Sequence, residues 1–310
     1  MVESRSAKET ALILTPYRFA RWIYCHCPIG KTRILLTLPR FLRTFRRVTV
    51  PILNGETLVV DLRVASSYSL LSSSPPFLDP AEHRAVLLVV KPGDVVFDIG
   101  ASIGLYSVVF SQTVGPSGSV FAFEPNPAVL PALEETILRL PNATLFPGGL
   151  ADESNRLALL IPGDPSMASL ADWTRGEHGK VTSCFCDFWR LDDLIEKGTV
   201  PRPDFMKCDV EGAELLVFRG ARNLLNSPGA PVLFFEINVN ASRGFNLSLM
   251  DVINFLRDLD HPSYRFFHIP EVGLPERIEI LHKPHSMILA VPQAKLSRFP
   301  ALSEAVASQA

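Results

Sequence analysis

Long apolar runs are missing from this chain. No uncharged stretch approaches the roughly 18 residues that a bilayer crossing needs, and the first residues lack the apolar core and cleavage pattern of a secretory signal. The expectation is therefore a soluble, cytoplasmic protein. Cysteine pairs at metal-binding spacing are absent too. The five cysteines, Cys25, Cys27, Cys184, Cys186 and Cys208, are odd in number and spaced Cys-x-Cys, which argues against both a disulfide framework and structural zinc. The glycine turn of the chain is spaced Gly-x-x-x-Gly, not the Gly-x-Gly-x-x-Gly that cradles a nicotinamide dinucleotide. No compelling metal motif occurs, and the net charge is only −2.

That near-neutral total hides an asymmetry. Residues 1–50 hold ten Lys or Arg (Arg5, Lys8, Arg18, Arg21, Lys31, Arg33, Arg40, Arg43, Arg46, Arg47) against Glu3 and Glu9, a net +8, so the remainder carries −10. An acidic body repels phosphate, which disfavours nucleic acid as a partner. At 310 residues and 47% hydrophobic, the chain is long enough for one large α/β domain with appendages.

The chain is organised around residues 91–126. Lys91-Pro92-Gly93-Asp94 forms a turn, Val95-Val96-Phe97 reads as a fully buried parallel strand, and Asp98-Ile99-Gly100-Ala101-Ser102-Ile103-Gly104 opens a helix. A second apolar run, Val120 to Phe123, ends in Glu124, whose carboxylate can take both hydroxyls of a ribose. An aspartate before the turn would repel a pyrophosphate. Asp98 can instead orient the ammonium and sulfonium end of S-adenosylmethionine, while N–H groups of the turn receive its carboxylate.

Ahead of this unit, residues 10–47 mix apolar and basic side chains and are cut into short helices by Pro16, Pro28 and Pro39. They read first as a helical lid with solvated arginines, and second as a basic amphipathic segment on an anionic membrane. Val48 to Leu62 alternates around Asn54-Gly55, a hairpin signal. Ser66 to Pro80 reads as a loop over the mouth of a site or as a plain linker, and 80–90 as a helix with Asp79 as its N-cap. Downstream, helices are expected over 105–114 and from Asn126 through Leu130, Leu133, Ile137 and Leu138, with a third strand at Ala143 to Phe146. Asp152 lies where an adenine amino group would be accepted, or is a turn aspartate. Leu157 to Ile161 and Lys180 to Phe188 can pair as an inserted hairpin around Ser166 to Leu170, followed by a helix over 189–197.

A second informative stretch runs from Pro203 to Glu214. A strand ends at Asp209, and Glu211 follows two residues on, so both can face one cleft; Glu236 ends a fifth strand and would bring a third acid to that rim. Their structural alternative is capping of the helix that follows. Leu249 to Leu259 reads as a helix, and Tyr264 to Ile269 with Ser286 to Pro292 as a closing strand pair flanked by His268, His282 and His285.

Taken together, Pro92-Gly93-Asp94-x-x-x-Asp98-Ile99-Gly100-Ala101, Phe123-Glu124-Pro125-Asn126 and Lys207-x-Asp209-Val210-Glu211-Gly212-Ala213-Glu214 resemble the FkbM family of S-adenosylmethionine-dependent methyltransferases over roughly Leu58 to Pro292. The resemblance implies an α/β class I methyltransferase fold, a Rossmann-like sheet of seven strands with the last antiparallel, and methylation of a hydroxyl on a small molecule, sugar or lipid-like acceptor. It implies that Asp98, Gly100, Ala101, Ser102 and Gly104 cradle the methionine moiety and that Glu124, with Pro125 and Asn126, holds the ribose. Asp209 and Glu211, joined by Glu236, would border the transfer site. The expected divisions are a basic helical segment (1–47), a hairpin and loop (48–79), the methyltransferase domain (80–293) and a tail (294–310). Ser102 stands where the family commonly has Asn, and Arg190 where it often has Thr. The basic N-terminal segment lies outside the resemblance and is the candidate peripheral membrane contact. A non-catalytic S-adenosylmethionine-binding scaffold and a nicotinamide oxidoreductase are the alternative readings.

Overall fold

The computed structural model describes residues 15–27, 29–52, 56–63, 69–72 and 80–307. Helices α1 (Thr15–His26) and α2 (Lys31–Phe41) precede the hairpin of β1 (Arg47–Pro51) and β2 (Thr57–Asp61), a helical turn α3 (Ser69–Ser72) and α4 (Pro80–Val89). The central unit follows as β3 (Val95–Ile99), α5 (Leu105–Val114), β4 (Ser119–Phe123), α6 (Leu130–Ile137) and β5 (Ala143–Phe146). An insertion is built from β6 (Gly149–Leu150), β7 (Asn155–Ile161) and β8 (Thr182–Trp189), which form a small separate sheet. The chain returns through α7 (Leu191–Glu196), β9 (Phe205–Cys208), α8 (Glu214–Gly220), α9 (Arg222–Leu225), β10 (Val232–Asn238), α10 (Val239–Gly244) and α11 (Asp251–Arg257). It closes with β11 (Tyr264–His268), β12 (Glu276–Ile278), β13 (His285–Pro292) and α12 (Pro300–Ala307).

The main sheet runs β12-β11-β13-β10-β9-β3-β4-β5. Strands β5, β4, β3, β9 and β10 are mutually parallel, and β13 is antiparallel to both β10 and β11. The seven expected strands are all present with the last one reversed; the three-residue β12 adds an eighth at the edge. Successive residues of each strand feed opposite faces. Phe97, Met206 and Phe235 enter the core on one side, and Val96, Phe205 and Phe234 enter the core on the other. Burial of both faces is why these strands read as continuous apolar runs. The chain leaves β3 toward β4 on one side and reaches β9 on the other, and this reversal opens a crevice at the carboxyl ends of those strands.

A third core ties the N-terminal elements to this unit. Tyr17, Ala20, Ile23 and Leu35 pack with hairpin residues Val48, Val50, Leu58 and Val60 and with Leu133 and Ile137 of α6. Leu71, read as part of a loop or linker, is fully buried here, and its carbonyl accepts from the Cys25 thiol.

Several boundaries differ from the sequence expectation. Pro39 lies inside α2 and does not end it; it is buried with Leu35, and the Leu42 N–H still bonds the Leu38 carbonyl. Helix α6 begins at Leu130, because the Asn126 side chain accepts from the Ala128 N–H and organises a turn ahead of it. Leu138 is exposed beyond its end. Trp189 belongs to β8, not to the helix after it. The expected tail packs, with Leu296, Phe299 and Leu302 buried against the α4 face. Pro28, Asn54, Gly55 and Asp79 lie outside the described residues.

Phe97 is fully buried and its ring lies 5.3 Å and 5.5 Å from those of Phe121 and Phe123. Phe97→Ala is expected to cost about 3–5 kcal/mol, read as a lowered denaturation midpoint. A change under about 1 kcal/mol would mean this face is not close-packed.

Candidate functional site

The crevice is lined at its floor by Ile99, Gly100, Ser102, Phe123 and Glu124. Its flanks come from Asn126, Val129, Leu150 and Phe188 on one side and from Asp209, Val210 and Glu211 on the other. The β3 turn approaches so closely that a Cβ on Gly100 would sit 1.9 Å from the Asp209 carbonyl oxygen, and Gly100 has φ +78°, so glycine is required there on both counts.

Glu124 is held by two backbone donors. The Ser102 N–H donates to its Oε2 and the Asn126 N–H to its Oε1, both at 2.8 Å. The carboxylate is thereby fixed at the end of β4, and each oxygen keeps acceptor capacity for a ligand hydroxyl.

The turn itself departs from expectation. The N–H groups of Gly100 and Ala101 both donate to the Phe123 carbonyl, that of Ser102 to Glu124 and that of Gly104 to Ala101. These four donors are engaged within the protein and do not face a ligand carboxylate. Gly100, Ser102, Glu124, Pro125 and Asn126 line the crevice, whereas Ala101 does not. Gly104 instead supports packing, since a Cβ there would meet Leu133 at 2.9 Å. Asp98 is fully buried below the turn; its Oδ2 accepts from Ser107 at 2.6 Å, and its Oδ1 has no hydrogen-bond partner among the described residues. Asp152 is exposed and outside the lining, because the chain beyond Leu150 crosses Gly220, where a Cβ would lie 1.9 Å from the Ala151 carbonyl oxygen.

The insertion spans the crevice from one rim to the other. The Asn126 side-chain amide donates to the Pro165 carbonyl at 2.8 Å, and Ser169 Oγ donates to the Glu211 carbonyl at 2.7 Å. Ser166, Ala168 and Leu170 thus become part of the lining.

The description "Methyltransferase FkbM domain" fits residues 98–263, the β3 turn through the approach to β11. The chain belongs to the FkbM methyltransferase family. Among curated relatives it is 34% identical over 148 residues to a hexuronic acid methyltransferase, AglP, of Haloferax volcanii, covering 46% of this chain and 56% of that protein. It is 29% identical over 168 residues to the 31-O-demethyl-FK506 methyltransferase FkbM of Streptomyces tacrolimicus, covering 43% and 62% respectively. The chain therefore spans less than two thirds of either relative. A solved FkbM methyltransferase from Methylobacillus flagellatus is similar at 19% identity and TM-score 0.42, over 73% of this chain and 54% of that one.

Within this FkbM fold the acid rim is set by a lysine to which the sequence expectation gives no role. Lys207 is fully buried on β9, beside Asp98 in strand register; its Nζ lies 3.0 Å from Asp209 Oδ2 and 4.6 Å from the Tyr106 ring centroid. Burial opposes its charge, but Asp209 and Asp98 outweigh that and hold its pKa above the ordinary lysine value. A buried lysine between two aspartates in Lys-x-Asp spacing was the available signal. The capping alternative falls to Glu214, whose Oε1 accepts the N–H groups of Val210 and Gly212, leaving Asp209 and Glu211 free of that role. Glu211 adopts φ +55°, a left-handed conformation that turns the rim between β9 and α8. Glu236 accepts from or donates to His285 Nε2 at 2.6 Å, a pairing across β10 and β13. His268 contacts Lys283 instead.

Burial pushes the Glu211 carboxyl up to about 9, with Asp209 and Glu236 adding to it. Burial likewise takes Glu214 to about 8, and Glu124 and Glu236 to about 7. Each folded value exceeds the unfolded 4.5. The folded chain thus binds protons more tightly than the unfolded one, and stability falls as pH rises from about 4.5 toward 9, levelling off above the folded values. Melting temperature is expected to decline across that interval, less steeply in Glu211→Gln; a melting temperature that climbs with pH there would contradict these assignments. Lys207→Met, which strands buried Asp98, is expected to cost about 3 kcal/mol in urea unfolding.

Proposed function

We propose that the chain is an S-adenosylmethionine-dependent O-methyltransferase acting on a hydroxyl of a sugar-like acceptor. The observation that carries this reading is the Glu124 carboxylate, fixed by two N–H donors at the floor of the crevice where the sheet reverses its winding. The donor set fits the cofactor: Glu124 would hold the ribose hydroxyls, and the apolar wall of Val129, Leu150 and Phe188 would flank the base. The Asp209 carboxylate on the other side of the crevice favours a cationic methionine end. Bound there, the cofactor supplies an activated methyl on a sulfonium whose charge is lost in an in-line displacement.

The protein's part is alignment and proton handling. Lys207 fixes Asp209 Oδ2 at the rim. Glu211, pushed up to about 9, holds a proton at neutral pH and can donate to an acceptor oxygen. The Glu236–His285 pair lies outside the lining of both hollows, and with Glu236 near 7 it would take the proton that leaves the hydroxyl.

The acceptor would sit in a second hollow. It is lined by Trp173, Thr174, Arg175, Glu177, His178, Asn240 and Arg243, so its two guanidinium groups outnumber its one carboxylate, and its α10 wall packs on the acid turn, where a Cβ on Gly212 would lie 2.6 Å from the Ala241 backbone. An indole face with two guanidinium groups suits a sugar bearing a carboxylate. The named substrate of the Haloferax relative, a hexuronic acid, supports that class.

Calorimetric titration with S-adenosylhomocysteine is the test. Binding is expected to weaken at least tenfold, about 1.4 kcal/mol, in Glu124→Ala, and in the wild type to strengthen as pH rises through about 7 because hydroxyl donors favour the ionised carboxylate. No binding by folded wild-type protein would end the methyltransferase reading. In its presence glucuronate should bind and glucose should not, and Arg243→Ala should remove the difference.

A further inference from the structure

Residues 15–47 hold eight Lys or Arg and no Asp or Glu. Their inner face, Tyr17, Ala20, Ile23 and Leu35, is used in the third core. Their outer face is aromatic. Phe19 stacks on Trp22 at 6.5 Å, Trp22 on His26 at 5.6 Å, and Phe45 meets Phe19 edge-on at 5.6 Å, giving one continuous row across α1 and the turn after α2. Trp22 is 55% exposed and Phe41 82%. Of the twelve large hydrophobic residues exposed among the described residues, six fall between Phe19 and Leu42, so exposed apolar surface is concentrated on this module. Arg18, Arg33, Arg40 and Arg43 are exposed there and have no ion pair among the described residues.

We propose that this face docks the protein on an anionic lipid bilayer. Aromatic and aliphatic side chains interleaved with arginines match the interface of a membrane, where rings enter the headgroup level and guanidinium groups stay with phosphate. Charge decides against a second copy of the chain as the occupant, because two such faces would set eight unpaired guanidinium groups, Arg18, Arg33, Arg40 and Arg43 of each, opposite each other with no carboxylate from residues 15–47 between them. The shortness of α1 and α2 is not an obstacle. Helix α1 packs on β1, and α2 packs on α1 and on the turn that follows α2 with Leu35 in the same core, so the face is preformed and its helices need no bilayer to hold them. The same core reaches Ala101 and Ile103 of the glycine turn, so a docked module stays rigidly linked to the crevice. The proposal is independent of the methyltransferase reading, since it uses no residue of the crevice.

The test is sedimentation with mixed phosphatidylcholine–phosphatidylglycerol vesicles and with pure phosphatidylcholine vesicles. The full chain is expected to bind the anionic vesicles, to bind the neutral ones far less, and to be released by salt. Arg40→Glu combined with Arg43→Glu should weaken binding about tenfold or more. Trp22→Ser combined with Phe41→Ser should also abolish it while leaving the melting curve unchanged, because both side chains are exposed. Absence of binding to anionic vesicles would overturn the proposal, as would binding that survives the Trp22/Phe41 pair of substitutions. A wild-type dimer in analytical ultracentrifugation that the same pair makes monomeric would also overturn it and assign the face to a second copy.

Discussion

One buried cation sets the arrangement of everything around the crevice. The Lys207 ammonium lies among Asp98, Asp209 and the Tyr106 ring, with the Tyr106 hydroxyl donating to Glu82 of α4. Three consequences follow from that placement. Asp98 can remain at full burial because a cation shares its side of the sheet. Asp209 is drawn toward β9 and helps push Glu211 upward. Strands β3 and β9, with α4 and α5, are joined at the point where the sheet reverses direction. An ion group in this position does little for net stability, and its value lies in fixing which carboxylates are ionised at the rim.

The rim then separates its acids by environment. Glu214 is occupied as the cap of its own turn, Glu211 is raised furthest by burial and like charge, and Glu236 is moderated by His285. Glu124 stands apart on β4 with its two N–H donors. Carboxyl groups of one residue type are thus raised to different degrees, Glu124 and Glu211 in the crevice lining and Glu214 and Glu236 outside it, which is the condition for dividing binding and proton transfer among them.

Strands were readable wherever burial on both faces leaves a continuous apolar run, as at Val95–Ile99 and Val232–Phe235, and the glycine turn was readable because Gly100 must admit the Asp209 carbonyl. Glu124 was legible as a carboxylate ending a strand. What escaped depended on contacts distant in sequence. Position along β3 says nothing of Lys207 beside Asp98 on the neighbouring strand. Asp152 was placed by topology alone, and the close passage over Gly220 that turns it outward has no local signature. His285 could not be chosen among three histidines without the β10–β13 register. The outer face of α1 and α2 was obscured for a related reason: periodicity shows which residues could share a face, while only the hairpin beneath decides which face is used.

The account turns on Glu124 being a buried acid whose ionisation is completed by ligand hydroxyls. The direct measurement is a carbon-detected NMR titration of the glutamate side-chain carboxyls, with Glu124→Gln to assign the resonance, in free protein and in protein saturated with S-adenosylhomocysteine. The account predicts a midpoint near 7 in the free protein and a clear fall on saturation. A Glu124 midpoint that is the same with and without the ligand would contradict it.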